Sequence, residues 1–311
     1  MGKKCRTAEI RTEVVKGISA YLGYNHSVAN RFAGAAPVQF ARLFAHASLT
    51  LAIFGASAAS AQQTSSWIEC SNDGFSVQQR INSCTAVIQS GAERQNRLAV
   101  AYNNRGSAHL ERGDNVMALS DFDAAIRINP NEAAYFYNRA NSQLAKGDND
   151  RAIIDFDQAI KLNPKLAMAY ASRGTAFANK RDYNQALADL GQAIKLDPRS
   201  ARAYSNRGVI YIRKREFTLA VADFDQAIRI DRGLTTALIY RAVANYNRAL
   251  YGEALTDFDA ALRLEPRLAV SLYGRGLTRL KGGDSSGTTD IAAAKSMQSD
   301  IADVMAEFGV R

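Results

Sequence analysis

The chain has 311 residues, of which 47% are hydrophobic and 22% are charged, and its formal net charge is +9. Residues 1–61 contribute +5 of that charge, through seven Lys and Arg against two acidic residues, so the remaining sequence carries only +4 with both signs interleaved. The basic charge therefore does not indicate nucleic-acid binding, which requires a basic stripe on one face. The length suits one or two ordinary domains.

An apolar run, SLTLAIFGASAASA, occupies residues 48–61 and ends in the small residues Ala59, Ser60 and Ala61. This layout is typical of a secretory signal, and the run is shorter than the roughly 20 residues that span a membrane. We predict that residues 1–61 are an N-terminal extension and signal peptide cleaved after Ala61, and that the protein is periplasmic or secreted. The alternatives are a short buried helix and, given the arginines, a mitochondrial presequence.

Only two cysteines follow residue 61, Cys70 and Cys84, and an even count agrees with export to an oxidising compartment. We predict that they form a disulfide that holds the segment around Trp67 against the next helix and stabilises the fold by ~3 kcal/mol. The alternative is a pair of buried thiols in a cytosolic protein. A metal site is not predicted, because His109 is the only histidine after residue 61.

Four of the five prolines stand at positions 130, 164, 198 and 266, separated by 34, 34 and 68 residues. Since proline stops a helix and disfavours helical geometry in the residue before it, this spacing indicates a tandem helical repeat. Within one period, Ala133–Ala145 and Arg151–Leu162 are predicted helices around a turn at Gly147 and Asp148. The small and large apolar residues that keep the same phase are Gly106, Ala140, Gly174, Gly208, Ala242 and Gly276, and Phe122, Phe156, Leu190, Phe224 and Phe258.

This pattern of aromatic, small, large apolar and proline positions resembles the tetratricopeptide repeat family, in five copies over residues 99–268. A degenerate sixth copy follows in residues 269–311, where Thr289–Phe308 keeps helical spacing and resembles a C-terminal capping helix. Residues 62–98 resemble a disulfide-pinned half-repeat that lacks its first helix. The resemblance implies an all-α fold, a right-handed superhelical solenoid of tandem helix-turn-helix repeats.

An arginine precedes the first small residue of each copy, and an aspartate precedes the large apolar residue. We interpret the two sets as a structural ladder in which each arginine forks onto an aspartate of a neighbouring helix. The alternative is an anion-binding arginine spine. As exposed pairs they would contribute less than ~1 kcal/mol each, so we expect them to fix register rather than stability. The ladder residues are Arg105, Arg139, Arg173, Arg207 and Arg241, with Asp121, Asp155, Asp189, Asp223 and Asp257.

In the family that the sequence resembles, the first helix of each repeat lines a concave groove that binds extended peptides or partner helices. Asparagines there hydrogen-bond to a peptide backbone, tyrosines provide apolar area, and arginines bind acidic groups. The alternative is that these are ordinary solvated residues. The groove residues implied by the resemblance are Asn103, Ser107, Tyr137, Asn141, Thr175, Arg202, Ser205, Val209, Arg213, Tyr246 and Asn247.

No combination of residues in the sequence indicates catalysis, since a nucleophile needs a base within reach and the chain after residue 61 has a single histidine. We therefore expect a non-enzymatic interaction scaffold without a cofactor. The predicted partner is a protein or peptide, and the alternative is a self-associating structural or envelope-assembly factor. We expect no nucleic acid, and no membrane span once the leader is cleaved.

Overall fold

The structure is a computed structural model of the chain, and it describes residues 65–91 and 93–311. The predicted leader and its cleavage site after Ala61 lie outside the described residues. None of the described helices is long and apolar enough to cross a membrane.

The described residues form 15 helices and no strand, as an all-α fold requires. Each predicted repeat contributes a first and a second helix joined by a short turn. In chain order the helices are α1 (65–70), α2 (Val77–Ser90), α3 (Gln95–Glu111), α4 (Asn115–Ile128), α5 (Ala133–Ala145), α6 (Asn149–Leu162), α7 (Ala167–Asn179), α8 (Tyr183–Leu196), α9 (Ala201–Arg213), α10 (Phe217–Ile230), α11 (Thr235–Asn247), α12 (Tyr251–Leu264), α13 (Ala269–Lys281), α14 (Gly287–Met297) and α15 (Ile301–Ala306).

These helices form two compact units. The N-terminal unit contains the described residues up to Pro164, with α1–α6, and the C-terminal unit runs from Lys165 to Arg311, with α7–α15. Inside each unit, a first helix packs against the second helix that follows it, and that second helix packs against the next first helix. A single helix pair buries too little apolar surface to be stable alone, so stacking of neighbouring pairs supplies the core.

The small and large residues of the repeat meet inside each pair. Phe122 and Phe224 are fully buried. A Cβ atom added to Gly106 would lie 2.8 Å from the Phe122 ring, and one added to Gly208 would lie 2.7 Å from the Phe224 ring. The small residue of the first helix thus lets the two backbones approach closely enough for the large apolar side chain to fill the space between them.

The turn between the two helices needs one residue in the left-handed backbone conformation. Three repeats place glycine there, at Gly113, Gly147 and Gly283, with φ between +80° and +85°. The equivalent positions in three other repeats are Arg181, Arg215 and Ala249, with φ between +59° and +64°. In several pairs the next helix then begins with an aspartate whose side chain accepts a backbone N–H, as Asp148 does from Arg151.

The C-terminal end differs from the single helical segment predicted over Thr289–Phe308. The structure has two helices there, α14 and α15, separated at residues 298–300, where Gln298 adopts an extended conformation. Helix α14 pairs with α13 as the second helix of a sixth repeat. The apolar spacing continues through the break, which is why the sequence pattern does not reveal it.

The two cysteines that follow residue 61 lie together in the N-terminal unit. The structure joins Cys70 to Cys84 with a Cα–Cα distance of 4.7 Å, and both residues are buried. The bond connects the end of α1 to the middle of α2. Residues 65–70, where the sequence suggests a missing first helix, are helical. The guanidinium of Arg97 lies 4.3 Å from the centroid of the Trp67 ring and covers this end of the unit.

Candidate functional site

The first helices form one continuous surface within each unit. In the N-terminal unit α3 contacts α5, and in the C-terminal unit α7 contacts α9, α9 contacts α11, and α11 contacts α13. Among the described residues of each unit, no two successive second helices approach as closely. We call the surface of the first helices the inner face, and it contains the predicted groove residues.

The predicted ladder residues meet in two-pronged ion pairs. The Nε and Nη2 atoms of each arginine donate to the two oxygens of one aspartate, at 2.6–2.9 Å. The aspartate belongs to the second helix of the same pair, 16 residues later in the chain. In the sixth repeat Arg275 makes the same fork to Asp290.

A second aspartate joins one helix pair to the next. The Nη1 atom of Arg139 donates to Asp123 at 2.6 Å, that of Arg241 to Asp225 at 2.6 Å, and that of Arg275 to Asp259 at 2.8 Å. These aspartates lie on the second helix of the preceding repeat. The ladder therefore holds two helices together inside a repeat and also fixes the position of the preceding repeat.

The expectation that these are exposed pairs is wrong. The side chains of the fork aspartates are only 4–10% exposed, because they lie between two packed helices. Hydrogen bonds to Asp155, Asp257 and Asp290 are the main cause of a raised pKa in their arginine partners, so these guanidinium groups stay charged. A soluble anion would have to displace a buried carboxylate from its fork, which favours a structural role for the ladder over an anion-binding one.

The aromatic position of the repeat supports the same arginines. The guanidinium of Arg105 lies 5.5 Å from the Tyr102 ring centroid, and that of Arg207 lies 5.7 Å from the Tyr204 ring. A cation that is held over an aromatic face and also paired with a carboxylate loses much of its freedom to reorient. The aromatic residue thus helps to position the fork.

In the N-terminal unit, the predicted groove residues separate into structural and accessible ones. Asn103 is buried, and its side-chain oxygen accepts a hydrogen bond of 2.8 Å from Asn138 of the next first helix. The hydroxyl of Ser107 donates to the backbone carbonyl of Asn103 at 3.0 Å. Tyr137 and Asn141 are partly exposed on α5, and Tyr137 packs with its ring centroid 6.0 Å from that of Phe156. Tyr137 and Asn141 therefore keep part of their surface exposed, whereas Asn103 joins two repeats.

In the C-terminal unit, four predicted groove residues lie on α7 and α9. The hydroxyl of Thr175 accepts a hydrogen bond of 3.1 Å from Asn206, which joins α7 to α9. Ser205 is buried, Val209 is partly exposed, and Arg202 is exposed. Of these four, Arg202 and Val209 offer accessible surface.

The remaining three predicted groove residues hold a segment of the same chain. The Nη1 atom of Arg213 lies 3.2 Å from a carboxylate oxygen of Glu307. The hydroxyl of Tyr246 donates to the main-chain oxygen of Arg311, the last residue of the sequence, at 2.5 Å. The side-chain amide of Asn247 donates to the backbone carbonyl of Phe308 at 2.9 Å. We call Ile301–Arg311, which contains α15 and the residues after it, the C-terminal segment.

Apolar side chains fix the C-terminal segment on the inner face. Ile301, Met305, Phe308 and Val310 are buried in the same core cluster as residues of α11. The Phe308 ring lies 5.3 Å from the ring of Tyr240, and the guanidinium of Arg213 lies 4.0 Å from the Phe308 centroid. The sequence patterns do not identify the contacts of the C-terminal segment, because these contacts do not recur with the 34-residue period.

The repeats match a known family. Residues 103–167 and 171–234 match the tetratricopeptide repeat, so this part of the chain consists of tetratricopeptide repeats. The all-helical fold of stacked helix pairs is that of tetratricopeptide-repeat solenoids. No curated protein sequence matches the chain.

Solved structures share this fold at low sequence identity. A tetratricopeptide repeat protein from Parabacteroides merdae is 17% identical with a TM-score of 0.61, over 80% of this chain and 98% of that one. PilF of Pseudomonas aeruginosa is 18% identical with a TM-score of 0.59, over 69% of this chain and 96% of that one. A chain of the Cut9–Hcn1 hetero-tetramer of APC/C is 16% identical with a TM-score of 0.61, over 76% of this chain and 50% of that one. At these identities the likeness concerns the fold alone.

Proposed function

We propose that this protein is a non-enzymatic adaptor whose inner face binds an extended segment of a partner protein. The tetratricopeptide-repeat fold supports protein–protein interaction in general. The observation that carries the finer proposal is that Arg213, Tyr246 and Asn247 hold a peptide segment, the last two through main-chain oxygens of that segment. A surface that binds a segment through its backbone and one charged side chain is suited to bind other segments in the same way.

The N-terminal unit supplies a second part of the proposed binding surface. Tyr137 offers a large amphipathic ring and Asn141 an amide that both donates and accepts. Both are partly exposed on the inner face of α5. A ligand there would lie against α3 and α5, with Ser107 at its edge.

We also propose that the protein is exported in a bacterium and works in the periplasm or outside the cell. Two features support this: the apolar run of residues 48–61, which ends in small residues, and the bonding geometry of Cys70 and Cys84. Disulfides persist in oxidising compartments and are rare in the cytosol.

The test of the adaptor proposal is a crosslinking pull-down from the envelope extract of the source bacterium, with the full exported chain as bait. The groove variant carries Tyr137→Ala and Asn141→Ala, and the matched control carries Ile154→Ser, an exposed position on the second helix α6. We expect a partner protein that the parent and the control recover and the groove variant loses. Identical recovery by all three, or crosslinks only between copies of the bait, would contradict groove binding.

A further inference from the structure

The C-terminal segment has the features of a ligand rather than of a further repeat. It follows a complete sixth helix pair, is joined to α14 by residues 298–300, and packs most closely against α13 of that pair. It lies on the inner face, in contact with α9, α11 and α13, whereas each repeat helix stacks in line with its neighbours. Its removal from that face would break no ladder contact.

The polar contacts of the segment are those of peptide recognition. Asn247 donates to the backbone carbonyl of Phe308, a group that any extended peptide provides, and Tyr246 donates to the main-chain oxygen of Arg311, the last residue of the sequence. The third donor on the inner face, Arg213, binds the carboxylate of Glu307 and also stacks on the Phe308 ring. The Arg213–Glu307 pair lies at the rim, since the side chains are 30% and 53% exposed.

Side-chain requirements add sequence specificity to these contacts. Phe308 and Val310 are buried against the core of the C-terminal unit. Gly309 has φ +82°, and a Cβ atom there would lie 2.3 Å from Oδ1 of Asn247, so only glycine fits between its neighbours. The part of the inner face that contacts the C-terminal segment therefore selects an acidic residue, an aromatic residue, glycine and an apolar residue in succession.

We propose that the C-terminal segment is an intramolecular ligand that occupies the partner site of the C-terminal unit, and that partner proteins displace it with a segment of the same acidic–aromatic–glycine–apolar chemistry. This inference rests on the proposed groove function and names the partner chemistry and the regulation of that site. Because the segment is tethered, the parent chain binds such a partner only through the fraction of molecules whose segment is released. The basic Arg213 makes an acidic residue the complement at the first position.

The test uses a fluorescent peptide with the sequence of residues 301–311 and measures its anisotropy with full-length protein. Phe308→Ala in the protein weakens the tethered segment, and we expect it to raise the apparent affinity for the peptide by at least about tenfold over the parent. Adding Arg213→Ala to that variant should reduce the affinity by about tenfold or more. Arg229→Ala is the matched control, an exposed arginine on the second helix α10, and should leave the affinity unchanged. A peptide carrying Gly309→Ala should bind at least about tenfold more weakly.

The proposal is overturned if the Phe308→Ala protein keeps the helical content of the parent and does not bind the peptide, or if Arg213→Ala and Arg229→Ala have the same effect. A second measurement covers the case in which Phe308→Ala does not fold. Hydrogen exchange of the parent chain should speed up at residues 308–310 when excess unlabelled peptide is added, and unchanged exchange also overturns the proposal. A failure here, with a pull-down that still depends on Tyr137 and Asn141, removes this inference and leaves the adaptor function in place.

Discussion

The ladder lacks at Gly191 a contact that it makes in other repeats of the C-terminal unit. It occupies the place on α8 that Asp225 occupies on α10 and Asp259 on α12, at the 34-residue period. In the described part of the chain, Asp223 is therefore the one carboxylate that Arg207 binds, whereas Arg241 and Arg275 each bind a further aspartate. A Cβ atom at Gly191 would meet nothing within 4 Å, so the position has room for a side chain.

We predict that Gly191→Asp stabilises the protein more than Gly191→Asn does. Both substitutions remove a glycine from the interior of a helix, and only aspartate supplies the second carboxylate partner that Arg207 lacks. Because the equivalent Asp225 side chain is 45% exposed, the difference in free energy of unfolding should be under about 1 kcal/mol. Urea unfolding in low and high salt measures it, and salt should reduce it. Equal stability of the two variants in low salt would refute the ladder contact at this position.

His109 is a buried base whose surroundings disfavour its charged form. Burial is the main cause that lowers its pKa, and Arg112 and Arg105 act in the same direction, against Asp121 and Asp114. The Nη2 atom of Arg112 lies 3.1 Å from Nδ1, which fits a neutral ring that accepts a hydrogen bond there. Asp114 and Asp121 lie 3.8 and 4.0 Å from the ring nitrogens.

We predict that stability falls as the pH drops below the ordinary histidine pKa of about 6.5 and that His109 causes part of the loss. In this range the unfolded chain binds a proton that the folded chain binds only at lower pH, so the free energy of unfolding rises with pH and levels off above that value. Melting temperatures of the parent and of His109→Gln between about pH 5 and 7.5 measure the effect. The variant should show the shallower slope, and parallel curves would show that His109 is not responsible.

At the level of the elements, the repeats differ in how well their turns suit the backbone. Gly113, Gly147 and Gly283 adopt the left-handed conformation without a steric penalty, whereas Arg181, Arg215 and Ala249 adopt it with a Cβ atom. The three strained turns lie in the C-terminal unit, and they are stabilised by the helix pairs on either side. Substitutions that relieve this strain at the three turn positions should therefore stabilise the C-terminal unit.

We predict that Ala249→Gly stabilises the protein by up to about 1 kcal/mol, because relief of the left-handed strain exceeds the entropy that glycine adds to the unfolded chain. The matched control is Ala222→Gly, an exposed position inside α10, which should destabilise by about 1 kcal/mol. Thermal unfolding of both variants and the parent makes the comparison. The same chemical change should thus have opposite signs, and destabilisation by both would mean that the turn at Ala249 carries no relievable strain.

The helices could be predicted from the sequence because the period fixes proline, glycine and the apolar stripe together. The ladder shows a feature that residue spacing alone does not determine, namely which aspartate pairs with each arginine. Arg139 lies 16 residues after Asp123 and 16 residues before Asp155, so the sequence cannot tell which aspartate accepts the fork and which accepts the single bond. The break at residues 298–300 was missed for a related reason, since Ile301, Val304 and Phe308 continue the helical spacing of α14.

The contacts of the C-terminal segment with the inner face could not be predicted by any local pattern. Its hydrogen bonds join residues 61 and 65 positions apart, and its ion pair joins residues 94 positions apart. Such contacts depend on the stacking of three first helices, which sequence periodicity describes only on average. The predicted groove residues Arg213, Tyr246 and Asn247 were chosen for a ligand in general, and the structure places the chain's own end against them.

At the scale of the whole molecule, each of the two units holds one of its terminal helices in a different way. The C-terminal segment covers the inner face with apolar side chains, while the N-terminal unit closes α1 onto α2 with the Cys70–Cys84 bond. Helix α1 is short, and its contacts around Trp67 form a small cluster. A covalent bond is therefore a larger share of the stability at the N-terminal end than it would be in the middle of the array.

We predict that loss of this bond lowers the stability of the N-terminal unit by about 3 kcal/mol, since it closes a loop between residues 14 positions apart. The variant Cys70→Ala with Cys84→Ala avoids placing hydroxyl groups at two buried positions. The exported parent should melt at a higher temperature than the variant, and reductant should lower the melting temperature of the parent without affecting the variant. The reductant comparison separates loss of the bond from loss of the sulfur atoms. If both cysteines of denatured periplasmic material react with a thiol label, and the parent does not respond to reductant, the chain does not carry the disulfide and the export proposal loses one of its two supports.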